Sequence, residues 1–261
     1  MIPSNLRKLA VIVVSLVAVA ACAMSSPWKQ EQADAHVNIG VAYLGTDRFN
    51  DALKEFLLAQ DFTPRDPRVH FYLGITFNGK GQKDQAIKEF NEAVSLRPDY
   101  SEAHNFLGAV YLGMGEWDKA IDACKKALAN VTYETPDKAL FNMGRAYYGR
   151  GDYGMALDAY AEAKNRKPNT IPLPLLDHHM GMSTYAQGNF PQASQHFRKA
   201  LEQAPSFLES RYWLGHCYLK MRDWDRAGEE FKAVIKETPG SELGANAGKS
   251  LDAVDTLRNK P

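Results

Sequence analysis

Six glycines, Gly40, Gly74, Gly108, Gly144, Gly181 and Gly215, stand 34, 34, 36, 37 and 34 residues apart. A period of this length means that one supersecondary unit repeats along the chain and completes its core against its neighbours. Twelve residues after each glycine stands an alanine: Ala52, Ala86, Ala120, Ala156, Ala193 and Ala227. Seven further on come Ala59, Ala93, Ala127, Ala163, Ala200 and Val234. Small residues at these spacings mark where two helices touch closely. Pro64, Pro98, Pro168, Pro205 and Pro239 follow, with Thr132 the single departure, and proline there ends a helix. Each unit therefore reads as a helical hairpin.

Aromatic residues complete the pattern. Tyr43, Phe77, Tyr111, Tyr147 and Tyr218 follow the glycine by three, while Phe56, Phe90, Tyr160, Phe197 and Phe231 follow it by sixteen. Residues 33–241 thus resemble the tetratricopeptide-repeat family. That resemblance implies an all-α, right-handed α-solenoid of six helical hairpins with a continuous stacked core. Turns such as Gly45-Thr46-Asp47 and Gly149-Arg150-Gly151-Asp152 join the two helices of a unit, with glycine expected to supply the positive φ. The last hairpin needs a cap. Residues 242–258 supply one, with Leu243, Ala247, Leu251, Val254 and Leu257 along one side and Lys249, Asp252, Asp255 and Arg258 along the other. Two junctions exceed the period, one near Thr132 to Pro136 and one at residues 168–174, and either could be a binding loop or a tolerated insertion.

Residues 1–21 read as a secretory signal. Arg7 and Lys8 precede a weakly polar stretch from Leu9 to Ala21, shorter than the ~20 residues that span a bilayer. Its end, Val19-Ala20-Ala21-Cys22, resembles the lipobox of bacterial lipoproteins, which implies acylation of Cys22 and cleavage before it. Several acyl chains, at ~0.8 kcal/mol per buried methylene, would hold the protein in a membrane. In the families this resembles, an aspartate after the lipidated cysteine tends to retain the protein in the inner membrane. Ala23 and Met24 stand there instead, so the expected location is the periplasmic face of the outer membrane, with residues 22–32 as a tether.

Charge narrows the partners. Taking Arg7 and Lys8 from 31 basic residues leaves 29 against 31 acidic ones, a net of minus two, which disfavours nucleic acid. No motif calls for a cofactor, a metal, a small-molecule substrate or a catalytic centre. Gly74 to Lys80 matches most of a phosphate-binding loop, but Gly81 replaces the magnesium-binding hydroxyl residue and the segment lies in a repeat helix. His36, His70 and His104 recur at 34 residues, yet stacked equivalent positions sit about 10 Å apart, too far for one zinc. His178 and His179 diverge by about 100° on a helix and make a poor ligand pair. Cys124 and Cys217, nearly three repeats apart, are expected to be buried free thiols rather than a disulfide.

The resemblance to tetratricopeptide folds further implies a concave groove lined by the first helix of each unit, along a stripe beside the one used for packing. Helical spacing assigns to it Val37, Val41 and Leu44, then Phe71 and Ile75, Leu112, Phe141 and Tyr148, Met182 and Tyr185, and Tyr212 and Leu219. A groove so apolar suits an amphipathic or extended peptide. Part of this stripe could instead pack against neighbouring units or an N-terminal tail containing Met24, Pro27 and Trp28. Tetratricopeptide domains that clamp a C-terminal carboxylate use Lys, Asn and Arg in the groove, which Val37 and Val41 do not match.

The lipobox, tether, six repeats and cap together resemble the pilotin lipoproteins of type IV pilus assembly, the PilF/PilW type. Locally, Thr132-Tyr133-Glu134-Thr135-Pro136 before Phe141-Asn142-Met143-Gly144 looks like that family's lengthened junction, and Pro239-Gly240-Ser241-Glu242 like its final-repeat exit. The resemblance implies a non-enzymatic scaffold that binds subunits of the pilus secretin and promotes their outer-membrane localisation and multimerisation. The alternative is a general lipoprotein adaptor for cell-wall or envelope machinery, because the scaffold does not specify its client.

Overall fold

The computed structural model describes residues 27–166 and 170–259. Among them are thirteen helices and no strand. Six hairpins follow one another: α1 (Pro27–Leu44) with α2 (Phe49–Phe62), α3 (Pro67–Gly79) with α4 (Lys83–Leu96), α5 (Ser101–Leu112) with α6 (Trp117–Ala129), α7 (Pro136–Arg150) with α8 (Tyr153–Asn165), α9 (Leu173–Ala186) with α10 (Phe190–Gln203), and α11 (Leu208–Lys220) with α12 (Trp224–Glu237). The final helix, α13 (Glu242–Arg258), packs against α12 and α11, as a cap should. The chain divides after Pro98 into two compact units, α1–α4 and α5–α13.

The period-setting glycines are explained by close approach. A Cβ on Gly40 would lie 2.5 Å from the Phe56 ring, on Gly74 2.6 Å from Phe90, on Gly144 2.5 Å from Tyr160, on Gly181 2.7 Å from Phe197 and on Gly215 2.8 Å from Phe231. The aromatic of each second helix is thus seated on the bare backbone of the first, and all five rings are fully buried. Burying such a side chain contributes roughly 1.5–3 kcal/mol. The third hairpin uses Cys124 instead, whose sulfur would lie 2.8 Å from a Cβ on Gly108. Burial pushes the Cys124 and Cys217 thiols up to about 12, and both are free, so they serve as core residues.

The hairpin turns correct one expectation. The left-handed residue stands fifteenth in each repeat: Asp47 (φ 55°), Gly81, Gly115, Gly151, Gly188 and Arg222 (φ 60°). Gly45 is not that residue. In the first and last turns a side chain therefore occupies a conformation that glycine adopts at little cost.

A second correction concerns the start of the repeats. α1 begins at Pro27, so residues 27–32, assigned above to the tether, are helical. Trp28 lies edge-on to Phe62 of α2, ring centroids 5.7 Å apart, rather than along a groove. Residues 1–26, with the signal segment, Cys22 and Met24, lie outside the described residues, as do Pro168 and Asn169 of the longer junction. Among the described residues no helix is long and apolar enough to cross a membrane.

In the second unit the second lengthened junction is tied to the residue that follows the first. The buried Asp137 carboxylate, at the start of α7, accepts from the Thr170 hydroxyl (2.6 Å) and the Ile171 backbone N–H (3.0 Å). On the other side, Tyr133 is buried beside Ala127 and Ala139, and Asn130 accepts from the Thr132 N–H at 3.0 Å. The described residues of both insertions are therefore anchored, and the first presents Val131 almost wholly exposed.

Candidate protein-binding face

Within each unit, first helices touch the first helices of adjacent hairpins, α1 with α3 in one unit and α5, α7, α9 and α11 in series in the other. Second helices contact only first helices or the cap. The first helices are consequently the more closely spaced layer, and their outward face is the inner face of each stack. This is the face predicted to bind a partner.

The predicted residues divide sharply by burial. Val37, Phe71, Leu112 and Phe141 are core residues, each no more than 9% exposed. The reason is visible at Phe141: His179 of the next first helix lies over it at 5.0 Å and Tyr160 flanks it at 5.9 Å. Phe71 is likewise closed in by Tyr72 and Phe90. These four hold the stack together and offer little to a ligand. Val41 is exposed, while Leu44, Ile75, Tyr148, Met182, Tyr185, Tyr212 and Leu219 are half-buried. In the second unit, Met182, Tyr185, Tyr212 and Leu219 pack on the cluster around Phe197, Leu214 and Phe231, leaving one side of each accessible.

Reading for apolar residues missed the polar members of the same face. The position one residue after each glycine holds Val41, Ile75, Ala109, Arg145, Met182 and His216. Arg145 is exposed, with its guanidinium carbon 5.9 Å from the Phe141 ring centroid. Asn142 donates to Asn105 at 3.0 Å, linking α7 to α5. Trp213 lies 5.1 Å from Tyr185, and His216 lies 4.5 Å from Tyr212. Burial pushes His178 and His216 down to about 4 and His179 to about 3, so all three are neutral at pH 7. The face in the second unit is thus aromatic and imidazole-lined, with Arg145 as a fixed charge.

The other recurring histidines do something different. His36 pairs with Glu55 and His70 with Glu89, both at 2.7 Å, and Arg211 pairs with Glu230 at 2.9 Å. Each pair is 19 residues apart and ties the two helices of a hairpin. In the fifth hairpin the charge order reverses: Asp177, fully buried, lies 3.9 Å from His196, and it also accepts from Lys164 of α8, in the fourth hairpin, at 2.6 and 2.8 Å. No group of three or more potential metal ligands occurs among the described residues. The segment from Gly74 to Lys80 is helical through Gly79, and Gly74 packs on Phe90 rather than cradling a phosphate.

Models of the tetratricopeptide repeat match residues 99–169 and 184–247, and a further repeat model of the same kind matches residues 76–115, together more than half of the chain. The chain is a tetratricopeptide-repeat protein. Among solved structures, this tetratricopeptide-repeat chain is similar to PilW, described as a widely conserved type IV pilus biogenesis factor, with a TM-score of 0.75 and 18% identity over 82% of this chain and 97% of that one. It is similar also to PilF of Pseudomonas aeruginosa, with a TM-score of 0.72 and 16% identity over 84% of this chain and 97% of that one. At these identities the likeness establishes the fold. The Protein CTR9 homolog of Arabidopsis thaliana is 25% identical over 146 residues, 51% of this chain, and the chain spans only 13% of that protein's length. A tetratricopeptide fold is a protein-interaction scaffold, and the exposed first-helix face is where such a scaffold can contact a partner.

Proposed function

We propose that this protein is an outer-membrane lipoprotein of the pilotin kind, which binds subunits of the type IV pilus secretin and promotes their localisation and multimerisation. The observation that carries the reading is a pair of structural likenesses that span 97% of both PilW and PilF and 82% and 84% of this chain. The sequence Val19-Ala20-Ala21-Cys22 supports the lipid anchor and, through the residues after it, the outer membrane. The early start of α1 strengthens the proposed mechanism. Residues 23–26 can span at most ~14 Å, and the six helical residues that follow add only about 9 Å. A client bound to the first hairpins is therefore held close to the bilayer.

The test is to delete the gene and probe unheated membrane fractions for the pilus secretin. Loss of the high-mass multimer with monomer still present is the expected result. A normal multimer would reject the pilotin role and leave an adaptor for other envelope machinery. A Cys22→Ala change should move the protein out of the outer-membrane fraction while its circular dichroism is unchanged.

A further inference from the structure

We propose that the outer end of the first hairpin, formed by Trp28, Ile39, Leu58 and Phe62, rests against the interfacial region of the lipid bilayer that anchors the chain. This goes beyond client binding and rests on the reading of Cys22 as the acylated residue.

The first observation is an end face left bare. In the second and sixth hairpins the residue before the period-setting glycine packs on the hairpin that precedes it: Leu73 shares a buried cluster with Ala52, Phe56 and Ala59, and Leu214 shares one with Ala193 and Phe197. Both leucines are almost fully buried. Ile39 holds this place in the first hairpin and is 45% exposed. Among the described residues α1 and α2 contact only each other and α3, whereas the last hairpin is covered by α13.

The second observation is compositional. The two positions before the crossing alanine or valine of the second helix hold Asn91-Glu92, Lys125-Lys126, Ala161-Glu162, Arg198-Lys199 and Lys232-Ala233 in the later hairpins, but Leu57-Leu58 in the first. Both of these leucines are exposed. With Trp28, Ile39 and Val41 they make five of the ten large apolar side chains exposed among the described residues, although this is one hairpin of six. Apolar surface concentrated where the other repeats place charge, asparagine or alanine marks a contact with something apolar.

These side chains share one side of the hairpin. Trp28 and Ile39 are eleven residues apart, within about 20° of each other around α1. Leu58 stands one turn before Phe62 on α2, and the Phe62 ring meets Trp28 edge-on at 5.7 Å and stacks on His36 at 5.8 Å. Arg68 of α3 holds Asp34 at 2.6 Å, which fixes the first turns of α1. Val41 lies about 140° around α1 from Trp28, so the partner face stays clear of this contact.

The occupant follows from the tether. Residues 23–26 reach at most ~14 Å, so Trp28 stays close to the acyl chains on Cys22. A contact held on so short a link forms at high effective concentration, and a small patch suffices. Tryptophan suits the bilayer interface, with an apolar ring and an N–H that stays wet. Lys29, Glu31, Asp61 and Arg65 put charges of both signs near the patch, so the contact is apolar and requires no anionic lipid.

The test places the full lipoprotein, one copy to a disc, in phosphatidylcholine nanodiscs with or without bromine on the upper acyl chains. Bromine is expected to quench part of the tryptophan emission. Trp28→Phe should cut that quenching at least threefold. Leu58→Glu, the residue type of Glu92 and Glu162, should cut it at least twofold with circular dichroism unchanged, while Met155→Glu, on exposed α8 surface, should leave it as in the wild type. No quenching, or equal quenching in wild type and Trp28→Phe, would overturn the proposal. Quenching lost with a Trp28 emission shift only in discs carrying two copies would give the face to a second copy, and a shift only on adding secretin would give it to the client; either result overturns the bilayer contact. The acyl mass on Cys22 is read from the same preparation. Acylated protein without bromine quenching removes this inference and leaves the anchored reading, whereas protein without acyl chains removes both.

Discussion

His70 Nδ1 lies 2.7 Å from a Glu89 carboxylate oxygen while its Nε2 lies 3.0 Å from the Pro64 carbonyl oxygen. Both partners are acceptors, an arrangement that the imidazolium, with a proton on each ring nitrogen, satisfies in full. Burial works against that charge, but the hydrogen bonds to Glu89 and Pro64 outweigh it and raise the His70 pKa above 6.5. Glu89→Gln should therefore lower stability by about 1.5–3 kcal/mol, as for a hydrogen bond to a charged group. The raised pKa fixes the sign: this contribution is complete below pH ~6.5 and fades as pH rises through the folded-state value. Urea unfolding of wild type and variant at pH 6 and pH 9 checks it, and an equal gap at both would reject the imidazolium.

His178, His179 and His216 should act in the opposite sense. Burial holds their pKa values at about 4, 3 and 4, so the unfolded chain binds protons below pH ~6.5 that the folded chain refuses. Stability present above pH 6.5 is lost on acidification, by on the order of 1 kcal/mol per pH unit for each residue. Thermal midpoints should fall steadily from pH 6.5 to pH 4.5, and His216→Phe should flatten that slope.

Arg222→Gly should stabilise the protein. Arg222 adopts φ 60° in a turn where four other repeats place glycine, and a side chain in that conformation costs roughly 1–2 kcal/mol. Part of the gain is offset by the greater freedom of glycine in the unfolded chain. A rise in melting temperature of about 2–4 °C is expected for a chain of this size.

Gly144→Ala should be among the most damaging single-methyl additions. The new Cβ would meet three Tyr160 ring atoms at 2.5–2.9 Å, in a ring with no exposed surface to yield toward. Overpacking of this kind costs about 1–3 kcal/mol, occasionally more. Gly248→Ala, which meets nothing within 4 Å in helix α13, is the control and should be neutral or stabilising.

Asp137→Ala should loosen the second long junction without melting the repeats. It removes the acceptor for the Thr170 hydroxyl and the Ile171 N–H. Amide hydrogen exchange at Thr170 and Ile171 should accelerate at least tenfold, while α8 and α9 keep their protection. Unchanged exchange would mean that the junction is held by something else.

The repeating helical hairpin was legible because it rests on local rules: a glycine wherever a ring must approach backbone, alanines where helices cross, a proline where a helix stops. The groove was only half legible. Periodicity assigns a residue to a side of a helix, and it put Val37, Phe71, Leu112 and Phe141 in the groove although all four are buried. Whether that side is open depends on the next helix, and His179, which closes Phe141, comes 38 residues later in the chain. The 19-residue spacing of His36 with Glu55 and His70 with Glu89 was present in the sequence, yet a pairing across a hairpin turn is unreadable until the helices are laid together. Asp137 gave no signal at all, since a lone acid near a helix start is ordinary and its partners Thr170 and Ile171 are more than thirty residues away. By itself the sequence determined the repeat, the all-α fold and the order of the hairpins, because those follow from contacts within some forty residues. Only the tertiary structure decided which of the stripe's side chains remain available to a partner, because exposure is set by what a neighbouring element covers.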